Sequence, residues 1–386
     1  MKFVLPKIDI WTKPVQVDRQ LIWLVLGLCA IGILAVYSAS YDLAVANKLS
    51  QERYLVDHTI RIGLALVAML VISQIDYHII AKYSRFLIIA GLLSLLWLQI
   101  YGKVGAKGAA RELGLFRPRG FALLALMIHT SVLLAKKQFY IQDFWHGFAP
   151  TIIWAVLFMG LAVSNGVSFT LMTLVIVLAL GFVGRIPVKY LMGLIGVGLV
   201  AAALVMAISP KRQQRVDVFT SEMFGVSMFG NFNAEEIAAR NYQPMQAEIA
   251  IANGGLMGVG MGKSTQKGYL PDPESDYIFA IISEEYGMLG ALFVLGLVVL
   301  LMYRGFMKIA PNAPDPLGFF LAISLTLIVG MTALFHIMVN CRLMPVTGLS
   351  LPFVSWGGSE LLLSGIIMGI LLNISGKIKP NAESTL

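Results

Sequence analysis

The sequence predicts an all-α polytopic membrane protein with about ten transmembrane helices and a large extracytoplasmic loop between the seventh and eighth. Three observations predict it. Of 386 residues, 58% are hydrophobic and only 13% charged, about half the charged share of a soluble domain. Mean hydropathy is +0.80. The apolar residues fall into blocks of about twenty, the length a helix needs to cross the hydrocarbon core. No soluble domain of ordinary size remains once these blocks are removed, so residues 1–386 read as a single membrane domain.

The blocks are 20–40, 58–75, 83–101, 119–135, 149–164, 167–184, 188–208, 277–303, 316–340 and 353–375. The first follows Arg19 and ends near Ser38-Ala39-Ser40, small residues that loosely mimic a signal-peptidase site. Its length suits a retained span better than a signal core. The fourth block is short, and the fifth and sixth are joined only by Ser164-Asn165-Gly166. An even number of spans puts both termini on one side. That side carries Lys2, Lys7, Lys13 and Arg19, then Lys82 with Arg85, Lys136 with Lys137, Arg185 with Lys189, Arg304 with Lys308, and Lys377 with Lys379. Counting short loops therefore favours cytoplasmic termini. One outer loop defies the rule with Lys103, Lys107, Arg111, Arg117 and Arg119. An anionic ligand and phospholipid headgroups each account for it.

The formal charge of +8 fits positive-inside loops and anionic lipid. No basic run is interleaved with aromatics, which argues against a nucleic-acid partner. Cys29 and Cys341 lie in or beside apolar segments without metal-ligand spacing, and the five histidines form neither HxxxH nor HExxH. No internal repeat is visible, which counts against an inverted-repeat transporter.

The hydrophilic element is 209–276. Asn233–Arg240 and Met245–Ala252 have helical composition, with Asn233 as a candidate N-cap and Glu235 and Glu236 in its first turn. Gly254, Gly255, Gly258, Gly260 and Gly262 then break regular structure. So long a loop in a compact chain points to function. The run GGLMGVGMGKS lacks the GxxxxGK[ST] spacing of a nucleotide loop. Lys263 and Lys267 behind it either meet a phosphate or form a solvated face.

Asp276 stands where this polar stretch turns into an apolar helix, behind Pro271, Pro273 and Ser275. It reads as an N-cap for a helix beginning at Tyr277, and equally as a general base at the membrane rim that reaches a sugar hydroxyl. Glu284 and Glu285 lie two turns further on, where charge is costly and should face a cavity. Glu285 is read as structural or cavity-lining. A second cluster runs from Asn340 to Ser359. Its prolines and glycines make a shaped turn, and Ser355 and Ser359 offer hydroxyls. Arg342 is the cation for a pyrophosphate, or a snorkelling interface arginine.

Four stretches carry a resemblance. They are VYSAS (36–40), YQPMQAEIAIANGGLMGVGMGKSTQKGYLP (242–271), SDYIFAIISEEYGMLGA (275–291) and MPVTGLSLPFVSWGGSELL (344–362). Together they resemble the SEDS family of polytopic peptidoglycan glycosyltransferases, which includes FtsW, RodA and SpoVE. The resemblance runs over nearly the whole chain, and VGMGKSTQKGYLP is more similar to FtsW than to RodA. It implies lipid II as substrate. The 4-hydroxyl of one GlcNAc would join C1 of a MurNAc, with inversion and release of undecaprenyl pyrophosphate. It implies Asp276 as the catalytic base. Basic residues, alone or with a divalent cation such as Mg or Mn, would stabilise the leaving group. It also implies a class b penicillin-binding protein as transpeptidase partner, docked on the outer loops and the eighth and ninth spans, among other divisome or elongasome membrane proteins. The chain departs from the family where a GAxRW loop and a QPSE motif usually stand. Here GAKGAAR (105–111) and RPRG (117–120) replace the tryptophan, glutamine and glutamate with small or basic residues, so no binding role is carried onto 103–120. The usual Pro-Asp pair is also missing at SNGVS, and Thr347 and Trp356 stand in place of the usual lysine and tyrosine. A lipid II flippase and a non-catalytic scaffold of the division machinery are the alternative functions.

Overall fold

The computed structural model describes residues 17–46, 48, 50–101, 117–163, 166–208, 213, 217, 220–221 and 234–378. Among them there is no β-strand, as the unbroken apolar blocks require. The helices are α1 (Arg19–Ala39), α2 (Tyr41–Ala46), α3 (Gln51–Ser73), α4 (Tyr77–Lys82), α5 (Ser84–Tyr101), α6 (Pro118–Lys137), α7 (Ala149–Ala162), α8 (Val167–Val183), α9 (Val188–Ile208), α10 (Ala234–Gly254), α11 (Ile278–Tyr303), α12 (Pro316–Asn340) and α13 (Gly358–Gly376). Among the described residues eight helical stretches are long and apolar enough to cross a membrane, and α8 and α9 contribute two shorter apolar ones.

The mostly buried helices α6, α12 and α13 form the centre, while α3 and α11 turn most of their surface outward. α13 packs closely on α3 because its small residues allow it. A Cβ on Gly365 would stand 2.2 Å from the Ala65 carbonyl oxygen, and one on Gly369 2.6 Å from that of Met69.

Several expected boundaries move. α3 begins at Gln51 rather than 58, because Asp57 and Arg61, one turn apart, neutralise each other at 2.6 Å within the helix. The last helix begins at Gly358 rather than 353, since Phe353 adopts φ 64 and the chain turns there first. The two expected pieces in the polar segment form one helix, α10, which continues through Pro244. Asn233 and residues 102–116 lie outside the described residues.

The largest correction concerns α11, expected as one uninterrupted helix. Gly287, with φ 68 and ψ −167, breaks it. The break frees the carbonyls of Glu284 and Glu285 and the N–H groups of Met288 and Leu289. The glycine loop satisfies all four. Val259 N–H donates to Glu284 O at 2.9 Å and Gly260 N–H to Glu285 O at 3.0 Å. Met288 N–H donates to Gly255 O at 2.8 Å and Leu289 N–H to Leu256 O at 3.3 Å. Irregular backbone at this depth is sustained only by such complete pairing. The fit demands glycine on both sides: a Cβ on Gly258 would meet the Glu285 carbonyl oxygen at 2.1 Å, and one on Gly287 the Gly258 nitrogen at 2.4 Å.

The two ends of the bundle differ. One is closed by ion pairs between distant segments. Asp18 caps α1 and pairs with Arg304 at 2.6 Å. His78 bridges Asp76 and Asp315, each at 2.8 Å, and Lys377 reaches Asp76 at 2.6 Å. The other end carries the glycine loop, Asp276 and the turn from Asn340 to Ser359.

Candidate active site

The site is built from two segments far apart in sequence. The first is the loop between α10 and α11. Pro271 and Pro273 stiffen it, and Asp272 between them takes φ 57. Its carbonyl then accepts from Ser275 N–H at 3.1 Å and Asp276 N–H at 3.0 Å, closing a tight turn. Asp276 is half-buried, and the Ser275 hydroxyl lies 3.4 Å from its Oδ1. Tyr277, not Asp276, is the N-cap of α11, and its own side chain makes no capping hydrogen bond. The capping role expected for the Asp276 side chain is therefore not the one it has.

The second segment, 340–356, holds the first by its backbone. Three consecutive carbonyls of the Asp276 turn accept hydrogen bonds from it. Trp356 N–H donates to Glu274 O at 2.8 Å. Ser355 Oγ donates to Ser275 O at 2.8 Å. Asn340 Nδ2 donates to Asp276 O at 3.2 Å. Ser355 also accepts from Leu351 N–H at 2.8 Å and is buried, so its one donor is committed to the turn. The carboxylate thus projects from a backbone fixed at three successive residues.

The two glutamates of α11 divide the remaining work. Glu284 is fully buried and organises the glycine loop: it accepts from the Ser264 hydroxyl, from Thr265 N–H at 3.2 Å, from Thr265 Oγ1 at 3.0 Å and from Gln266 N–H at 3.2 Å. A carboxylate surrounded by donors is the arrangement that makes a buried charge tolerable. Glu285, also buried, accepts from the Ser38 hydroxyl of α1, and its other oxygen has no hydrogen-bond partner. The loop set by Glu284 carries Lys263, which is exposed, and Lys267. Lys267 Nζ donates to Gly262 O at 2.9 Å and sits 5.6 Å from the Tyr41 ring centre.

Arg342 has φ 61 and reaches back to α10, pairing with Glu248 and donating to Asn241 Oδ1 at 2.7 Å. Its partial burial lowers the guanidinium pKa from the ordinary value. The arginine expected to meet a pyrophosphate thus also staples the polar loop to the bundle. Ser359 is half-buried in the first turn of α13.

Beside this turn lies a cavity of about 80 Å3 with an apolar lining. Ser355 forms part of its wall, and Arg117, Arg119 and Glu360 supply its charge. Arg117 pairs with Glu360 at 2.8 Å, and Arg119 lies 5.5 Å from the Phe169 ring centre. Arg61 stacks on Trp356 at 4.6 Å, next to the same turn. Arg117 and Arg119 belong to the basic loop that broke the charge rule, so part of that charge faces a cavity. Glu360 and Asn340 have no role legible in the sequence, because each acts on a partner distant in the chain, while Glu284, expected to face a cavity, instead gathers donors of the glycine loop. Among the described residues no three His, Cys, Asp or Glu side chains are grouped to hold a metal ion. No step is assigned to a metal ion.

A half-buried carboxylate on a fixed backbone, beside an apolar cavity bearing arginines, can take a proton next to a lipid-linked anion. Known proteins share this fold. A chain in the complex described as "Structural coordination of polymerization and crosslinking by a peptidoglycan synthase complex" superposes with TM-score 0.75 at 23% identity, over 93% of this chain and 98% of that one. Thermus thermophilus rod shape determining protein RodA gives TM-score 0.67 at 23% identity, over 95% and 99%. At that identity they speak to the fold. Among curated relatives, "Probable peptidoglycan glycosyltransferase FtsW" of Trichlorobacter lovleyi is 31% identical over 96% of this chain and 97% of its own. "Stage V sporulation protein E" of Bacillus subtilis is 32% identical over 94% and 98%. The family model described as "Cell cycle protein", which spans FtsW, RodA and SpoVE, matches residues 19–379. With fold and sequence in agreement over almost its full length, the chain belongs to the FtsW/RodA/SpoVE family.

Proposed function

We propose that this chain is a peptidoglycan glycosyltransferase that polymerises lipid II, with Asp276 as general base. The acceptor sugar's 4-hydroxyl gives its proton to the Asp276 carboxylate as its oxygen bonds to C1 of the donor MurNAc. The bond from C1 to the pyrophosphate oxygen breaks on the opposite face. The anomeric centre inverts and undecaprenyl pyrophosphate leaves. The observation that carries this reading is the three-point anchoring of the Asp276 turn: a base must meet its hydroxyl within hydrogen-bond reach, and a fixed backbone removes the entropy of finding it. Arg119 and Arg117 at the cavity, with Arg342, Lys263 and Lys267 on the loop side, supply positive potential for the departing pyrophosphate. Ser355 serves by positioning, Ser359 lies near enough to the cavity turn to line a substrate path, and Glu285 stays structural. Both termini are assigned to the cytoplasm of a bacterial inner-membrane protein. The partner assigned is a class b penicillin-binding protein.

The experiment supplies purified chain and partner with labelled lipid II and measures glycan and undecaprenyl pyrophosphate together. One pyrophosphate lipid released per disaccharide added supports polymerisation. Lipid II crossing a vesicle bilayer with no glycan formed supports a flippase instead.

A further inference from the structure

We propose that Asn340 is the positioning residue that keeps Asp276 outside α11, an inference that rests on the reading of Asp276 as base. Asn340 is the last residue of α12 and is fully buried. Its carboxamide is inserted between two backbone groups at the start of α11, one inside the helix and one before it. Oδ1 accepts from Ala280 N–H at 3.0 Å, and Nδ2 donates to Asp276 O at 3.2 Å. A third bond, from Nδ2 to His336 O at 2.9 Å, fixes the amide to its own helix. In an uninterrupted helix the N–H of residue 280 would bond directly to the carbonyl of residue 276. The amide takes both partners and bridges them instead.

The consequence falls on Asp276. α11 starts at Ile278, with Tyr277 at φ −122 and without a side-chain cap of its own. Asn340 supplies that cap from another helix and satisfies an N–H that would otherwise be orphaned. Remove the amide, and Ala280 N–H and Asp276 O are left to find each other. The helix then lengthens backward, Asp276 adopts helical φ/ψ, and its carboxylate swings with the turn. Asparagine suits the position because it offers a donor and an acceptor without a charge.

The test compares the full chain, with its penicillin-binding partner and lipid II, as wild type, Asn340→Ala and Asn340→Leu. Leucine fills the same space, and the two freed backbone groups can pair with each other, so the fold is kept. The expected result is a fall in kcat of about ten- to a hundredfold, since a displaced base costs rate. KM should stay within about twofold, because no substrate contact is removed. An unchanged kcat, a loss confined to KM, or unfolding of both variants overturns the proposal. Asp276→Asn is measured alongside. If it is inactive while Asn340→Leu keeps full kcat, only the positioning role fails; if it is fully active, the base reading fails and this inference with it.

Discussion

Ser355 donates to Ser275 O and accepts from Leu351 N–H, both at 2.8 Å. Replacing it with alanine leaves two buried backbone groups without their partner. The expected cost is about 1–3 kcal/mol, read as a lower thermal midpoint of the purified protein, and an unchanged midpoint would contradict the assignment. Arg342 is held from the other side by Glu248 and Asn241. Arg342→Lys keeps the charge but loses the planar fork that serves two partners at once. It should loosen α10, seen as faster hydrogen exchange in residues 241–254, whereas a purely ligand-facing arginine would leave exchange unchanged. Asp276 and Arg342 stood out in the sequence because charge is scarce in this chain. Asn340 and Glu360 did not. Asparagine at the end of an apolar helix announces nothing, and the partners of these two lie 64 residues away and at Arg117, just before α6, respectively.

The broken helix α11 shows how one carboxylate orders a loop. Glu284 gathers hydroxyl and N–H donors from residues 264–266, while the carbonyls beside it pair with Val259 and Gly260. Glu284→Ala removes the centre of this arrangement. The loop 258–270 should become a site of rapid proteolysis, with the rest of the chain resistant; uniform resistance would show that backbone pairing alone suffices. The apolar blocks were legible because a membrane demands about twenty apolar residues per span, a constraint written in composition. The break was not. Gly287 lies in a run that otherwise reads as continuous helix, and membrane helices tolerate glycine. What breaks the helix is the approach of the loop at Gly258, a tertiary contact with no local signal.

The whole molecule is closed at the end away from the site by His78, which ties its own neighbour Asp76 to Asp315 across two segments. Hydrogen bonds to Asp315 and Asp76 raise its pKa from 6.5 to about 9 against the effect of burial. The folded state therefore favours the charged ring. Its stabilisation is fully present below pH 6.5 and is lost as pH rises through about 9. The thermal midpoint of the wild type should fall across that window more than that of His78→Gln, and parallel curves would refute the clamp. The catalytic end depends on none of this directly, which allows the central claim to be tested by itself. Asp276→Asn removes the basic oxygen and leaves the three backbone anchors in place. Measured as glycan formed from lipid II with the partner present, on protein whose thermal midpoint matches the wild type, the rate should fall by about a hundredfold or more. Polymer formed at the wild-type rate would contradict the account.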